Sequence, residues 1–185
     1  MVRVRVFAVL GVLLVLAPWT TLSAANYNEE EYGGLLHRIE TDSYQYELGD
    51  SVQISYSVTN PGDETVYFHV YVVSWPLWTR VLSPGDSLEI WVNPAAYYPM
   101  DGWVTLPSGE SLLTQPTWDM VNAYTGQPIT QLGVYTVEGE LYATDPAFRF
   151  AVGVPIQVVE PQTGIHEPQD SVPTTWGAVK ALCRH

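Results

Sequence analysis

Polar and apolar side chains alternate with a period of two residues in the middle of the sequence. In SVQISYSVTN (51–60) the apolar positions are Val52, Ile54, Tyr56 and Val58, and serine or glutamine stands between them. A β-strand points successive side chains to opposite faces, so this alternation predicts a strand with one buried face. The chain must therefore form a sheet that is covered on one side.

The same kind of pattern recurs further along the chain. The turn NPGDE (60–64) separates the first strand from TVYFHVYVV, and we expect these two strands to pair as a hairpin. Further strands are predicted within LSPGDSLEIWV (82–92), LPSGESLLTQPTW (106–118), GVYTVEGELYAT (133–144) and FRFAVGVPIQVVE (148–160). The body contains no convincing amphipathic helix. Short strands separated by turns every 8 to 12 residues or so predict an all-β, antiparallel sandwich or barrel.

The first 25 residues have the pattern of a secretory signal peptide. Arg3 and Arg5 precede the apolar run FAVLGVLLVLA, and Ser-Ala-Ala follows at 23–25. A basic start, a short apolar stretch and a small-residue cleavage site are typical of exported chains. The run is shorter than the roughly 20 residues that span a bilayer. We therefore expect an extracellular, periplasmic or cell-surface protein that starts at Asn26 and does not insert into a membrane.

The rest of the chain divides into three segments by composition. Residues 26–43 are acidic and poorly patterned, which predicts a leader ahead of the domain. Residues 44–160 contain the predicted strands and form one domain. Residues 161–185 begin with a proline-rich stretch, which favours an extended linker. Their end, WGAVKALCRH, is similar to short tails with a Trp-Gly start and a basic end on some secreted bacterial proteins.

The net charge narrows the range of partners, and the cysteine content shows how the core is held. The formal net charge is −13, and nucleic-acid binding depends on lysine and arginine side chains that displace counterions from phosphates. We therefore exclude nucleic acid as a partner. The lone cysteine, Cys183, cannot close a disulfide within the chain, so the core must be held by burial alone.

The sequence offers no motif for catalysis. The four histidines are His37, His69, His166 and His185. They form no H-E-x-x-H pair and no Cys/His cluster with the spacing of metal ligands, and the sequence has no G-x-S-x-G elbow or phosphate-binding glycine loop. Of the four, His69 alone falls in a predicted strand, where we expect it to face solvent or to bond a neighbour. The sequence predicts no cofactor, no metal site and no enzyme activity.

Three acids are the nearest approach to a catalytic set. Asp119, Glu138 and Glu140 lie in one stretch of the chain, and a glycosidase needs two carboxylates flanking a cleft. Their positions suit architectural roles better. Asp119 stands beside a turn, where it can bond backbone amides. Glu138 and Glu140 are two residues apart, which predicts the solvated side of a strand. A hydrolase using such an acid pair remains a third hypothesis.

Aromatic side chains carry the remaining functional signal. Tryptophan and tyrosine anchor sheet cores through their large buried area, and this is our interpretation of Trp91 and Trp118. Other rings fall in segments that resemble loops, SWPLW and NPAAYYPMDGW, where they could bind a ligand at the surface. These surface candidates are Trp75, Trp78, Tyr97, Tyr98 and Trp103.

Two segments carry a family resemblance. VQISYSVTNPGDETVYFHV, together with the later run Gly-Glu-Ser, Trp-Asp, Gly-Gln-Pro-Ile and Gly-Val-Tyr-Thr-Val, resembles the intracellular proteinase inhibitor (BsuPI) domain family over about residues 46–158. The second half also resembles the immunoglobulin-like domains of flagellar hook-capping proteins. The chain departs from the family at Leu132-Gly133, where the family has Pro-Gly, and at 74–105, which is richer in tryptophan and tyrosine.

The resemblance implies an immunoglobulin-like β-sandwich and a non-catalytic interaction domain that inhibits serine proteases. An inhibitor presents a rigid loop to the protease, and the loops at 75–80 and 97–103 are the candidates, with rigid aromatic anchors. The binding candidates are then Trp75, Trp78, Arg80, Tyr97, Tyr98 and Trp103. The alternative is a carbohydrate- or cell-surface-binding accessory module that uses the same rings.

Overall fold

A computed structural model describes residues 26–72, 76–93 and 100–162, without the side chains of residues 71, 72 and 100. The predicted signal peptide, most of the predicted tail, Trp75, Tyr97 and Tyr98 lie outside the described residues. The strands are β1 (Asn26–Tyr32), β2 (Leu35–Thr41), β3 (Gln45–Glu47), β4 (Val52–Thr59), β5 (Val66–Val72), β6 (Leu77–Leu82), β7 (Glu89–Val92), β8 (Met100–Leu106), β9 (Ser111–Thr114), β10 (Thr117–Trp118), β11 (Gly133–Thr144) and β12 (Ala147–Val159).

The strands form two larger sheets and a ribbon. The first sheet has the order β1-β2-β4, and both β9 and β10 pair with the far edge of β4. The second sheet has the order β3-β12-β11-β6-β7, in which β3 and β12 are parallel and the other pairs antiparallel. β5 and β8 form an antiparallel two-stranded ribbon. The predicted all-β sandwich is confirmed.

The core contains the large apolar side chains that the alternation predicted. Tyr56 is completely buried, as are the other apolar positions of β4. Trp118 is also fully buried, and its ring centroid lies 5.7 Å from that of Tyr135 on β11. Trp91 is 7% exposed. The interpretation of Trp91 and Trp118 as core residues is therefore confirmed.

Residues 26–43 are not a leader ahead of the domain. Most of them form β1 and β2, and β2 pairs with both β1 and β4. Leu35 and Ile39 of β2 are 1% and 0% exposed. The prediction was wrong because His37 and Thr41, which are polar, occupy the other inward positions of β2 and hide its alternation.

His37 is buried against the first sheet's central tyrosine. Its Nδ1 lies 2.9 Å from the hydroxyl of Tyr56 and its ring is fully buried. Burial disfavours the charged imidazolium and lowers the pKa of His37 to about 4, while the backbone carbonyl of Tyr32, as a hydrogen-bond acceptor, opposes the shift. His37 is thus a neutral core residue and part of the sheet.

The predicted hairpin between the strand at 51–60 and TVYFHVYVV is also wrong. β4 pairs with β2, β9 and β10, whereas β5 pairs with β8. The side-chain amide of Asn60 explains why β5 leaves the sheet of β4. It donates a 2.7 Å hydrogen bond to the Glu64 carbonyl and a 2.9 Å hydrogen bond to the Leu106 carbonyl at the end of β8. The buried Asn60 thereby ties the turn to β8, and the chain leaves the first sheet.

The two sheets are joined along one edge by asparagine side chains. β3 pairs with residues 157–159 at the end of β12. Asn26 Nδ2 donates 2.7 Å to the Pro155 carbonyl, and Asn28 Nδ2 donates 3.0 Å to the Gly153 carbonyl. β1 therefore lies beside the earlier part of β12 and bonds it through side chains.

Candidate binding face

The solvent side of β6, β11 and β12, termed here the outer face, is built by the alternation of β11. Tyr135, Val137, Leu141 and Ala143 point into the core. The intervening residues Glu138, Glu140, Tyr142 and Thr144 point outward. The strand pairing sets Arg80 opposite Glu138, Trp78 opposite Glu140 and Arg149 opposite Tyr142.

Two arginines and three glutamates form a charged cluster on this face, made of Arg80, Glu89, Glu138, Glu140 and Arg149. Glu138 Oε2 accepts from Arg80 Nε at 2.8 Å and from Nη2 at 2.7 Å. Arg80 Nη2 lies 3.4 Å from Glu140 Oε2, and Arg80 Nη1 lies 3.7 Å from Glu89 Oε2. Arg149 donates to both oxygens of Glu140, at 2.6 Å and 3.0 Å. The tyrosine hydroxyl of Tyr124 also donates to Glu89.

Glu140 is the centre of the cluster. It is 8% exposed, and its two oxygens are engaged by Arg149 and Arg80. Its hydrogen bonds and its negative charge raise the pKa of the Arg149 guanidinium above its ordinary value. The predicted solvated position is wrong for Glu140, because the side chains of Arg80 and Arg149 on the two neighbouring strands extend to it.

A groove of about 310 Å³ opens on the outer face beside the cluster. Its lining combines two aromatic side chains, Trp78 and Tyr142, with charged groups of the cluster, Arg80, Glu89, Glu140 and Arg149. Tyr142 is 38% exposed and Trp78 is half-buried. The groove therefore offers apolar ring surface next to hydrogen-bonding groups.

Trp78 and Arg80, two of the predicted binding residues, do not lie in a loop. Both belong to β6, where Leu77, Thr79 and Val81 are the buried positions. The loop placement was wrong because the alternation is short and follows directly on Pro76. The structure brings these two candidates together in one groove. Their partners Tyr142 and Arg149 were missed as site residues, and Glu140 was considered only as a member of the acid set. Tyr142 follows Glu140 by two residues, and this spacing is the signal that could have found it.

Trp103 also lies on a strand, β8, so its loop placement was wrong as well. It is 61% exposed, and it faces His69 of β5 with ring centroids 5.3 Å apart. His69 Nδ1 lies 3.0 Å from Thr144 Oγ1, and His69 Nε2 lies 3.2 Å from Asp101 Oδ1. The prediction that His69 is a strand residue with bonded neighbours is confirmed.

Of the three acids of the hypothetical catalytic set, Glu138 and Glu140 lie together around Arg80, and Asp119 lies elsewhere. Asp119 follows β10, at the edge of the other sheet, and accepts a 2.7 Å hydrogen bond from Ser51 Oγ. Glu138 and Glu140 are both bonded by guanidinium groups. Within residues 26–72, 76–93 and 100–162 no three His, Cys, Asp or Glu side chains are grouped to hold a metal ion.

The part of the chain that the structure describes has no helix long and apolar enough to cross a membrane.

Replacing Arg80 by methionine should lower the free energy of unfolding by about 2 kcal/mol, because Glu138 and Glu140 lose the cation they share in a largely buried setting. Arg149→Met is the matched control. The Arg149 side chain is 61% exposed, so solvent screens the lost pair and we expect a cost below about 1 kcal/mol. Urea unfolding at pH 7 measures both. Equal losses would show that the cluster depends on Arg80 no more than on Arg149.

Comparisons with known proteins give distant structural similarity. No family model and no curated protein matches the chain. A β-glucosidase from Erythrobacter marinus matches with a TM-score of 0.38 and 16% identity, over 73% of this chain and 16% of that one. A β-glucosidase from Listeria innocua gives 0.34 and 12%, over 72% and 16%. The sporulation control protein Spo0M from Bacillus subtilis gives 0.39 and 19%, over 70% and 51%.

The chain thus spans about a sixth of the length of these glucosidases and half that of Spo0M. At this distance the similarities assign neither a family nor an activity.

Proposed function

We propose that this protein is a non-catalytic binding domain that holds a saccharide in the groove of its outer face. The observation that supports this is the placing of Trp78 and Tyr142 beside the charged cluster. A sugar ring has apolar C–H faces that pack on aromatic rings, and hydroxyl groups that both donate and accept hydrogen bonds. The groove supplies the complementary groups: ring surfaces, carboxylate oxygens and guanidinium N–H groups.

The charges of the groove favour a neutral saccharide. Three carboxylates face two guanidinium groups in the charged cluster, and the whole chain has a formal net charge of −13. An anionic sugar would meet an excess of negative charge, both locally and at long range. A neutral sugar can use the oxygen and nitrogen atoms of the cluster without breaking its ion pairs.

The site is suited to binding without chemistry. Trp78, Arg80 and Tyr142 lie on paired strands of one sheet, so their backbones are fixed before a ligand arrives. A preformed site loses little conformational entropy on binding. Glu138 and Glu140 are each held by guanidinium groups, which supports a structural role for these acids and a binding role for the groove.

The test is calorimetry with the full chain and a panel of neutral glucans, xylans and chitin fragments. Trp78→Ala and Tyr142→Ala should each weaken binding by roughly tenfold or more, because central aromatic contacts dominate such interfaces. Tyr27→Ala is the matched control. Tyr27 is 55% exposed on β1 of the other sheet and packs on Arg38. Binding that is unchanged in both groove variants would contradict the proposal.

Inhibition of a serine protease, with a protein partner instead of a glycan, remains the proposal that the BsuPI resemblance implies. Trp78, Arg80 and Trp103 lie on strands and not on a projecting loop, which favours the saccharide proposal. Export to an extracellular, periplasmic or cell-surface location rests on residues 1–25, outside the described residues. Incubating the full chain with a panel of secreted serine proteases tests inhibition directly. Dose-dependent loss of protease activity, with the chain left intact, would establish it.

A further inference from the structure

We infer that the ligand is an extended oligosaccharide, which continues from the groove onto the outward side of the β5–β8 ribbon, where Trp103 forms a second subsite. This inference rests on the proposed saccharide-binding function and adds the length of the ligand and the residues that bind its far end.

The ribbon continues the outer face without a break. Thr144 follows Tyr142 by two residues on β11, so both side chains point outward. Thr144 Oγ1 bonds the His69 ring at 3.0 Å and donates to the His69 carbonyl at 3.1 Å. His69 in turn faces Trp103 across the ribbon. A line of contacts therefore leads from the groove to Trp103.

The ribbon presents aromatic rings in the way that a stacking platform requires. Trp103 and Tyr67 are 61% and 58% exposed, and they are diagonal neighbours on the same side of the ribbon. On the opposite side Phe68 and Val70 are fully buried and fix the ribbon to the core. Two large exposed rings on a rigid support form a small apolar surface of the kind that marks binding sites.

Polar groups hold Trp103 in place and remain near its ring. The His69 ring meets Trp103 edge-on, at an interplanar angle of 72°. One ring nitrogen of His69 bonds Thr144 Oγ1 at 3.0 Å, and the other lies 3.2 Å from Asp101 Oδ1. The Asp101 side chain is 68% exposed, so its carboxylate can also accept hydrogen bonds from sugar hydroxyls.

The separation of the two platforms sets the length of the ligand. Tyr142 and Thr144 are about 7 Å apart along β11, and the ring centroids of His69 and Trp103 are 5.3 Å apart. Thr144 and His69 connect Tyr142 to Trp103, so we expect a ligand that contacts both rings to be longer than one sugar unit. A chain of several units can contact both, and linking two weak contacts through one ligand raises its affinity without any new contact type.

Calorimetry with the full chain tests this with three probe pairs: maltose and maltohexaose, cellobiose and cellohexaose, and diacetylchitobiose and hexaacetylchitohexaose. We expect one hexamer to bind about tenfold or more tighter than its dimer. Trp103→Ala should remove that gain and leave the dimer's affinity unchanged, whereas Trp78→Ala should weaken both. The exposure of Trp103 means that the variant should fold, which the thermal midpoint verifies.

The outcomes separate the two proposals. The second subsite is overturned if the hexamer still binds more tightly than the dimer in Trp103→Ala. It is also overturned if the hexamer and the dimer bind the unchanged chain equally while Trp78→Ala still weakens the dimer. In both cases the saccharide groove stands. If no dimer or hexamer binds the unchanged chain, both are overturned. Tyr27→Ala should match the unchanged chain for every probe.

Discussion

Gly139→Ala is expected to lower the free energy of unfolding by about 3 kcal/mol or more, although it adds one methyl group. A Cβ at this position would lie within 3.0 Å of the ring of Tyr56, closer than real Cβ atoms approach. Tyr56 cannot move aside easily, because its ring is fully buried and its hydroxyl bonds His37 at 2.9 Å. The β11 strand and the first sheet must separate to admit the methyl group.

Gly102→Ala on β8 is the matched control for this variant. A Cβ at Gly102 meets nothing within 4 Å, so we expect a change of less than about 0.5 kcal/mol. Urea unfolding followed by tryptophan fluorescence compares the two variants with the unchanged chain. A similar, small effect of both substitutions would show that the sheets adjust to the extra methyl group at 139.

Stability should fall steeply as the pH drops from 6.5 to 4, through a contribution of about 3 kcal/mol from His37. Burial lowers the pKa of His37 to about 4 from an ordinary value of 6.5. Between these two pH values the unfolded chain binds a proton that the folded chain does not, so acid favours unfolding. The contribution is fully present above pH 6.5 and is lost as the pH falls through 4.

His37→Gln isolates this contribution, because glutamine can still bond the Tyr56 hydroxyl but does not titrate in this range. The variant will be less stable at pH 7 through imperfect packing. Its loss of stability between pH 7 and pH 4 should nevertheless be smaller than that of the unchanged chain by about 3 kcal/mol. Urea unfolding at closely spaced pH values measures both curves. Parallel curves would mean that His37 is not held neutral in the core.

The sequence was sufficient to predict the strands whose inward positions are all apolar. β4 has Val52, Ile54, Tyr56 and Val58 at those positions, and its strand and burial were predicted directly. β2 could not be found in the same way, since two of its inward positions are polar and are stabilised by partners elsewhere in the chain. His37 bonds Tyr56, and Thr41 Oγ1 accepts a 3.1 Å hydrogen bond from Asn26 Nδ2.

The candidate site depends on strand pairing, which local pattern does not determine. The sequence placed Glu138 and Glu140 on one face, but it did not show that Arg80 and Arg149 lie on the two neighbouring strands. Those pairings bring a long cationic side chain to a glutamate from each side. Glu140, which was predicted to be solvated, is therefore buried, and the rings of Trp78 and Tyr142 line a groove beside it.

The asparagines of β1 have a consequence for how molecules of this protein meet one another. An unpaired strand edge is a template on which a strand of another molecule can add, and so it seeds aggregation. The carbonyls of Gly153 and Pro155 on the edge of β12 are already occupied by the amides of Asn28 and Asn26, and Pro155 has no N–H to offer. This edge is closed to edge-to-edge growth by the protein's own side chains.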